Sequence, residues 1–549
     1  MLLAHTINVH RKHCLQRLIS SLSLFQPKLI PPFQIKYFSS SDKLQSKTIF
    51  ALSSGHGKCG VSIIRLSGPK SGFALKQLCG AVTKPRLASL CKISHPETKE
   101  LLDRALVLWF PAPHSFTGED VAELHVHGGP AVVAAVLEAL GQLDGLGPAS
   151  PGDFSRRSFL NGKLDLTEVE GLGDLIHAET EAQRKQAVRQ MEGDLARLYT
   201  GWRKRIIKSL ANVEAFIDFS EEENIEDDVM DVVVTSIRQI QTEMENYLKD
   251  SRRGERLRDG LRAVILGEPN VGKSSLLNFL CQRPAAIVSP MAGTTRDVVE
   301  TSLNISGYPV LVCDTAGLRD TGDEVEKEGI TRALDRAEQA DLRIVVLDAE
   351  IHTSQLQEQN WGEFLSYYLA QLGIGISKID TDTKPTSHYD VNQDVNKSQS
   401  VKKIYENTNT SNEDSCETLL VINKSDLAPL STLEAMKKQC SQNVGMSVCF
   451  VSCKSEEGME GFLEILSAKI KQLCGDPALS TASLTRTRHT HHLTQSLHFL
   501  QDFHLYMTRD VVLAAERLRL ATRELGEVTG AVTTEDVLDV VFRDFCIGK

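Results

Sequence analysis

The sequence lacks three features that would each place the protein in a definite class. No apolar run reaches the roughly 18 residues that a membrane-spanning helix needs. The 12 cysteines include no Cys-x-x-Cys pair, so no disulfide framework or zinc spacing is recognisable, and a reducing compartment is favoured. The net charge of −11 argues against broad nonspecific nucleic-acid binding, although a local basic groove stays compatible with it. With 41% hydrophobic residues among 549, the composition is that of a soluble globular protein with about three domains.

Acidic residues are missing from the first 41 positions, where basic residues are spread among Ser, Leu and Phe. This composition is typical of a mitochondrial presequence, whereas the apolar stretches are too broken for the core of a secretory signal. We therefore predict a transit peptide over residues 1–41 and a location in the mitochondrial matrix. The alternative is an N-terminal tail without a function.

Proline is absent between Pro151 and Pro269 and again after Pro477. Because proline breaks helix interiors, and because apolar residues in the first stretch keep helical spacing, both stretches are predicted to be helical. One helical domain interrupted by an insertion is the simplest arrangement. The predicted domains are an α+β N-terminal domain (47–160), a helical domain in two parts (161–257 and 474–549) and the inserted domain (258–473).

Apolar residues are also scarce from 375 to 416, where Ser, Thr, Asn, Asp and Lys dominate. Such a segment cannot bury enough apolar surface to offset the entropy of ordering it. We predict a disordered insertion on the surface of the inserted domain, and a regulatory loop is the alternative.

A phosphate-binding loop stands at the start of the inserted domain. Gly267–Ser274 reads Gly-Glu-Pro-Asn-Val-Gly-Lys-Ser and fits G-x-x-x-x-G-K-[ST], between a predicted strand (261–266) and a predicted helix (275–280). Its backbone N–H groups would surround the β-phosphate, the Lys273 amine would bind β- and γ-oxygens, and the Ser274 hydroxyl would bind Mg²⁺. A single loop of this kind occurs by chance, so the assignment needs further motifs.

Three more motifs follow in the order of a guanine-nucleotide domain, each after a β-like run. Asp314-Thr315-Ala316-Gly317 would hold Mg²⁺ through water and contact the γ-phosphate. Asn423-Lys424-Ser425-Asp426 offers a carboxylate to guanine N1 and N2, and Ser452-Cys453-Lys454 would contact guanine O6. The four motifs together predict a GTP-binding G domain of the Ras-like, P-loop type.

Short runs outside these motifs carry a family resemblance. They are Gly60–Gly68, Ser115–Asp120 with Glu123, His127–Pro130, Pro151–Ser155, Phe159–Leu166 and the closing Phe-Cys-Ile-Gly-Lys at 545–549. In these runs the chain resembles the MnmE/TrmE family of tRNA-modifying GTPases in its mitochondrial form. The C-terminal Cys-Ile-Gly-Lys is the most specific of them, because other GTPases with similar switches do not have it.

The resemblance implies a multidomain α/β fold: a folate-binding N-terminal domain that also dimerises, a helical domain, and a G domain inserted into the latter. It implies GTP hydrolysis coupled to modification of carbon 5 of the wobble uridine in mitochondrial tRNA, with 5-taurinomethyluridine as the product in animals. The one-carbon unit comes from 5,10-methylene- or 5-formyl-tetrahydrofolate. The implied partner is an MnmG/MTO1-like flavoprotein, which alone carries FAD, in a heterotetramer containing a homodimer of this chain.

The resemblance also assigns residues to metals and catalysis. K⁺ would be bound by the Asn270 side chain and by backbone oxygens of Ser289, Met291 and Thr294, and Mg²⁺ by Ser274 and Thr295. The family usually has Thr where this chain has Ser289, a change that a backbone ligand tolerates. No glutamine follows the Asp314 motif, so Glu326 would orient the attacking water, with Lys273 as the second catalytic residue.

The predicted GTP-binding residues are Asn270, Val271, Gly272, Lys273, Ser274, Ser275, Ser289, Thr294, Thr295, Asp314, Thr315, Ala316, Gly317, Asn423, Lys424, Asp426, Ser452, Cys453 and Lys454.

For the folate, the resemblance assigns four contacts, namely Arg65, Glu123, Lys163 and Lys549. A carboxylate such as Glu123 can pair with the amide-like edge of a pterin, and the basic residues suit the glutamate tail and carbonyls of the folate. Cys546 is either a catalytic thiol near the substrate or a buried structural cysteine.

Two other functions stay open at this point. A mitochondrial ribosome-assembly GTPase would share the nucleotide motifs, but the basic RNA-binding module usual in that class is not visible. A folate-dependent aminomethyltransferase with GTP as a regulator would share the N-terminal domain, but no active site independent of a partner is visible.

Overall fold

The computed structural model describes residues 47–219, 228–282, 300–314, 339–350, 416–443, 446–476 and 486–532, with short pieces between 364 and 372 and between 538 and 548. The predicted transit peptide (1–41) and all of the predicted insertion except Cys416 lie outside the described residues. The chain divides into two compact units, residues 1–161 with 546–549, and residues 162–545.

The first unit is built on one six-stranded sheet. Its strands are β1 (Thr48–Leu52), β2 (Cys59–Ser67), β3 (Ser89–Ser94), β4 (Leu101–Phe110), β5 (Val121–Gly128) and β6 (Leu146–Pro148), and its helices are α1 (Ser71–Cys79), α2 (Pro130–Gly141) and α3 (Asp153–Leu160). The strand order is β3-β4-β5-β2-β1-β6, and β1 pairs antiparallel with β2 but parallel with β6. The unit is therefore α+β, as predicted.

Side chains alternate across this sheet, which separates a core face from a polar face. On β5, Ala122, Leu124 and Val126 are buried, whereas Glu123 and His125 between them are partly exposed. This is the period of two expected of a strand with one face packed against helices. Apolar residues of α1 and α2 join the core on the first face. The polar side chains of β2 and β5 consequently share the other face.

The second unit begins with five helices, α4 (Leu166–His177), α5 (Glu181–Met191), α6 (Asp194–Phe219), α7 (Asp228–Lys249) and α8 (Ser251–Asp259). Capping boxes stabilise the N-termini of the first two helices, α4 and α5. The Asp165 carboxylate accepts from the backbone N–H of Glu168, whose side chain accepts from the N–H of Asp165. Thr180 and Gln183 repeat the arrangement at α5. Each box satisfies two N–H groups that the first turn of a helix leaves unpaired.

The G domain follows α8 with a second six-stranded sheet. Its elements are β7 (Leu261–Leu266), α9 (Lys273–Cys281), β8 (Glu300–Ile305), β9 (Tyr308–Asp314), β10 (Leu342–Asp348), β11 (Glu417–Asn423), a 3₁₀ turn (Ser425–Leu427), α10 (Leu430–Asn443), β12 (Ser447–Phe450) and α11 (Met459–Cys474). The order is β12-β11-β10-β7-β9-β8, with only β8 antiparallel to its neighbour. The carboxyl ends of the parallel strands meet at one edge, where ligands of such sheets bind.

The chain then returns to the helical part with α12 (Thr487–Met507) and α13 (Val511–Thr529). Apolar residues of these helices, among them Leu493, Phe503 and Leu518, form a single core with Tyr199 and Ile237 of α6 and α7. Helices from both sides of the G domain thus share one core, which confirms the predicted insertion of a G domain into a helical domain. None of the described helices is long and apolar enough to cross a membrane.

Candidate functional site

The predicted phosphate-binding loop connects β7 to α9 and needs glycine at two positions. Gly267 has φ +149° and Gly272, the N-cap of α9, has φ +101°. A Cβ at Gly267 would lie 2.3 Å from the carbonyl oxygen of Val346, and one at Gly272 would lie 2.1 Å from Asn423 Nδ2. The loop therefore passes so close to β10 and β11 that only glycine fits at these two points.

The loop is arranged to receive an anion at the start of α9. Within the helix, the first backbone bond runs from the N–H of Leu276 to the carbonyl of Gly272, at 2.9 Å. The N–H groups ahead of it carry the partial positive charge of a helix N-terminus, which favours phosphate. Lys273 Nζ donates to the carbonyls of Gly267 and Glu268, at 2.8 Å each, so the amine lies against the same loop. Ser274, an exposed hydroxyl of the first turn, is an oxygen donor of the kind Mg²⁺ takes.

Asn423, at the end of β11, joins the phosphate loop to the predicted base-binding loops. Its Nδ2 donates to the carbonyl of Val271 at 2.8 Å, and its Oδ1 accepts from the backbone N–H of Cys453 at 3.1 Å. The side chain is buried. Asn423 therefore connects three loops through its amide, a role that holds the predicted site together.

The loops predicted to bind the base are shaped by turns and one ion pair. Lys424 takes a left-handed conformation (φ +61°), and its Nζ lies 2.5 Å from Oδ2 of buried Asp348. Asp426 lies in the 3₁₀ turn and is exposed, as a carboxylate that meets a base must be. Asp348 was missed by the sequence reasoning, although it ends the apolar run of β10 as Asp314 and Asn423 end theirs.

The Ser452 loop is held by its own side chain. Buried Ser452 Oγ accepts from the backbone N–H groups of Lys454 and Ser455, at 3.3 and 3.1 Å. Burial raises the pKa of the Cys453 thiol, which stays neutral. The Cys453 side chain would thus meet guanine only as a neutral thiol, and contact between this loop and guanine stays a prediction.

Several predicted residues fall outside the described part of the chain. They are Ser289, Met291, Thr294, Thr295, Thr315, Ala316, Gly317, Glu326, Cys546 and Lys549. The backbone of Asp314 is described and pairs in register with Ile265 of β7, which places it at the same sheet edge as the phosphate loop. The metal-binding and catalytic roles of the residues outside the described part of the chain stay predictions.

In the first unit, Arg65 and Glu123 form an ion pair on the polar face of the sheet. They lie opposite each other in the β2–β5 register, and Nε and Nη2 of Arg65 are each 3.0 Å from Glu123 Oε1. Both side chains are 17% exposed. The guanidinium of Arg65 lies over the rings of Phe116 and Phe154, 5.5 and 5.9 Å from their centroids, and His125 Nε2 is 3.4 Å from Glu123 Oε2. The partly exposed carboxylate of Glu123 is of the kind that pairs with the amide-like edge of a pterin.

The C-terminal tail belongs to this unit. Ser53 Oγ donates to the carbonyl of Gly548 at 2.9 Å, and Gly548 has φ +94°. A Cβ there would lie 2.3 Å from the carbonyl oxygen of Leu52. Gly548 is therefore bound at the end of β1, whose Ala51 pairs in register with Arg65. Lys163, by contrast, is exposed and falls in the second unit.

Family profiles match both units. The profile described as the MnmE helical domain matches residues 166–546, which is more than half of the chain. The chain belongs to the MnmE/TrmE family. A second profile, GTP-binding protein TrmE N-terminus, matches residues 48–163 and covers the sheet with the Arg65–Glu123 pair. The predicted family is confirmed.

Full-length members of the MnmE/TrmE family are similar over nearly their whole length. The "5-taurinomethyluridine-[tRNA] synthase subunit GTPB3, mitochondrial" of Danio rerio is 50% identical over 537 residues, which cover 98% of this chain and 99% of that protein. The Homo sapiens protein of the same name is 46% identical over 504 residues, 91% and 93% of the two chains. The "tRNA modification GTPase MnmE" of Parvibaculum lavamentivorans is 44% identical over 506 residues, 92% and 100% of the two chains.

Proposed function

We propose that this chain is the GTP-hydrolysing subunit of a mitochondrial enzyme that modifies carbon 5 of the wobble uridine in tRNA, with 5-taurinomethyluridine as the product. The observation that carries the proposal is the 50% identity over 98% of the chain to a relative named as a mitochondrial subunit of a 5-taurinomethyluridine-[tRNA] synthase. The matrix is the proposed compartment, and a ribosome-assembly GTPase is not favoured by these names.

In the proposed GTPase reaction, the phosphate loop and the N-terminus of α9 bind the phosphates, and the Lys273 amine neutralises charge on them. Ser274 and Thr295 would bind Mg²⁺, which offsets the charge developing on the transferred group. Glu326 would orient the attacking water. Asp426 accepts from guanine, and the Lys424–Asp348 pair fixes the loop that presents it.

In the proposed modification reaction, a one-carbon tetrahydrofolate bound to the first unit supplies the carbon. Arg65 and Glu123 provide a paired cation and carboxylate for it beside two aromatic rings. Lys549 would bind the anionic tail of the folate, and Cys546 would be near the substrate. The proposed partners are mitochondrial tRNA, an FAD-carrying flavoprotein of the MnmG/MTO1 kind, and a second copy of this chain.

K⁺ is the proposed activator of hydrolysis. Asn270 is exposed at the loop and takes φ +64°, so its amide oxygen can bind a cation beside the phosphates. We expect hydrolysis in K⁺ to exceed that in Na⁺ of equal ionic strength on the order of a hundredfold, as for a lost charge-stabilising group. Asn270→Gly should remove the difference without backbone strain, because glycine adopts positive φ readily. Equal rates of GTP hydrolysis by the unsubstituted protein in the two salts would exclude K⁺ as the activator.

The wobble nucleoside itself tests the proposed function. In cells lacking this chain, mass analysis of mitochondrial tRNA should show unmodified uridine at the wobble position, and the full chain should restore the modified base. If cells lacking this chain keep the modified wobble uridine, or if the full chain does not restore it, the proposal is contradicted, whatever the GTPase activity of the chain.

The Gly548→Ala variant tests the place of the tail in that reaction. Its Cβ would collide with the Leu52 carbonyl and displace the tail, while the described nucleotide loops are untouched. We expect GTP hydrolysis within about twofold of normal and a loss of modification, the pattern of a residue used only in one step. Gly55→Ala, where a Cβ meets nothing within 4 Å, is the matched control and should restore modification. Normal modification by the Gly548 variant would remove the tail from the proposed site.

A further inference from the structure

The chain connects the helical part to the G domain twice, once on the way out and once on the way back. One carboxylate accepts a hydrogen bond from an arginine of each connection. The outgoing passage is α8, and the returning chain reaches Arg486 just before α12. Oδ1 of Asp174, on α4, is 3.1 Å from Arg258 Nε of the first and 2.8 Å from Arg486 Nη2 of the second. Asp174 is therefore the shared anchor of both connections.

The two arginines compete for a single atom. Both bonds end on Oδ1, while Oδ2 of Asp174 is buried and makes no hydrogen bond within the described part of the chain. A carboxylate and a guanidinium form their strongest pair with both oxygens engaged. Exclusive pairing of Asp174 with either arginine would satisfy Oδ2 and release the other arginine. The structure shows the shared arrangement, and exclusive pairing with either arginine would give two others.

Other charges near the cluster keep a released arginine paired. Glu170, one turn earlier on α4, lies 3.9 Å from Arg486 Nε. Asp259, at the end of α8, lies 3.2 Å from Arg258 Nη1. Arg486 has Glu170 as a second carboxylate, and Arg258 is 32% exposed, so water solvates it even without Asp259 and exchange at Asp174 leaves no buried charge alone.

A continuous set of contacts runs from the nucleotide loops to this cluster. Strand β10 ends at Asp348, the partner of Lys424, and is preceded by Asp341. Asp341 accepts from Arg256 Nε at 2.8 Å and from the backbone N–H of Arg262 at 3.0 Å. Arg256 lies on α8, two residues before Arg258. A shift of β10 in response to nucleotide would therefore move α8 and the Arg258 end of the cluster.

We propose that Asp174 is a positioning residue that couples the nucleotide state of the G domain to the helical domain, by exchange of its carboxylate between Arg258 and Arg486. When α8 moves, Asp174 pairs with Arg486 through both oxygens and the first turn of α12 moves with it. The consequence for tRNA modification rests on the proposed function, whereas the coupling between the two domains does not.

The test compares Asp174→Asn with Asp259→Asn in the full-length protein. Both substitutions remove a carboxylate partner of Arg258, but Asp259 is 60% exposed, so water replaces it, and among the described residues it forms no ion pair with Arg486; it therefore serves as the matched control. Hydrogen exchange at the start of α12 is measured with GDP and with GDP plus aluminium fluoride. We expect a nucleotide-dependent change in the unsubstituted and Asp259→Asn proteins, and its loss in Asp174→Asn, with the KM for GTP within about twofold because the loops are distant from the cluster.

Two results would overturn the proposal: no nucleotide-dependent change in the unsubstituted protein, or a normal change in Asp174→Asn. If Asp174→Asn does not fold, Arg486→Lys replaces it, since lysine keeps the charge but cannot engage both oxygens at once. The Lys variant should lower the nucleotide-dependent change, and a normal change would refute the exchange.

The modification assay separates this proposal from the proposed function. If the unsubstituted chain supports wobble modification, Asp174→Asn should reduce it about tenfold, a usual size for coupling between sites, and Asp174→Glu should restore part of it. Unchanged modification by Asp174→Asn would count against the coupling. If the unsubstituted chain supports no modification, the proposed function fails, and hydrogen exchange alone decides whether Asp174 couples the domains.

Discussion

A Gly272→Ala protein should fold and lose most of its affinity for GTP. The new Cβ would lie 2.1 Å from Asn423 Nδ2 at a backbone position with φ +101°, so either the loop or Asn423 must move. Asn423 holds Val271 and Cys453 through its amide, and its displacement leaves buried polar groups unpaired. Each such group costs about 1–3 kcal/mol, so we expect roughly a hundredfold weaker binding.

Equilibrium titration with a fluorescent GTP analogue measures this loss, and circular dichroism verifies that the fold is kept. Gly461→Ala is the matched control, because a Cβ at that position in α11 meets nothing within 4 Å. It should bind the analogue like the unsubstituted protein. An affinity of Gly272→Ala within about twofold of normal would show that the loop relaxes easily and that Asn423 does not hold the site together.

The nucleotide strands were predictable because each is a short apolar run that ends at a motif residue. The predicted strand 261–266 agrees with β7, and β9, β10 and β11 extend the β-like runs 310–313, 342–347 and 419–422 by one to three residues. The motif around Asn423 was recognisable, but the amide bond to Val271 was not, because it joins residues 152 positions apart. Local patterns indicate which residues stand at a strand end, whereas contacts between strand ends follow from the order of strands in the sheet.

In the first unit, the β-like runs 61–66 and 105–110 predict strands β2 and β4, whereas β1, β3, β5 and β6 were not predicted. Strand β6 has three residues, Leu-Gly-Pro, whose composition indicates a turn. It forms a strand only because β1 lies beside it in parallel register. The Arg65–Glu123 pair likewise depends on the β2–β5 register, which places these two residues opposite each other. Composition predicts neither register, because register is decided by how the whole sheet packs.

The helical spacing of apolar residues predicted the buried face of α4, but it did not predict the ionic network that Glu170 forms there. Glu170 Oε1 accepts from Arg488 Nη2 at 3.0 Å, and Oε2 lies 2.7 Å from His489 Nε2, at a separation of 319 residues. Glu170 is 1% exposed and His489 0%. From the sequence alone, a glutamate among apolar residues at helical spacing could equally lie at the edge of the buried face and be exposed to solvent. Only the return of the chain as α12 brings its partners to it.

Glu170→Gln should destabilise the helical domain strongly. Burial alone would raise the pKa of this carboxyl, but His489 and Arg488 lower it to about 2 from its ordinary 4.5. That difference corresponds to at most about 3 kcal/mol in favour of the charged carboxylate near neutral pH, where the lowered pKa of His489 leaves its ring neutral and Arg488 is the charged partner. Removing the charge also leaves Arg488 without its carboxylate partner in a mostly buried position. We expect a loss of about 3 kcal/mol near neutral pH, measured as an earlier urea transition in far-UV circular dichroism.

The pH dependence of Glu170→Gln follows from the signs of two shifts. Since the pKa of Glu170 is lowered on folding, its contribution is complete above about pH 4.5 and is lost as the pH falls toward 2. Burial lowers the pKa of His489 below 6.5, so acid below that pH adds to the instability of both proteins. The gap between the variant and the unsubstituted protein should therefore begin to close only below about pH 4.5.

Glu181→Gln is the control that separates burial from a low pKa. A hydrogen bond from Arg184 and the neighbouring Lys185 lower the pKa of Glu181 to about 2 as well. Its side chain is exposed, however, and water screens the pair, so its loss should leave the urea transition almost unchanged. A Glu170→Gln transition as mild as that of Glu181→Gln would mean that the helical core accommodates Arg488 without its carboxylate. The network would then serve to align α4 with α12 rather than to stabilise the domain.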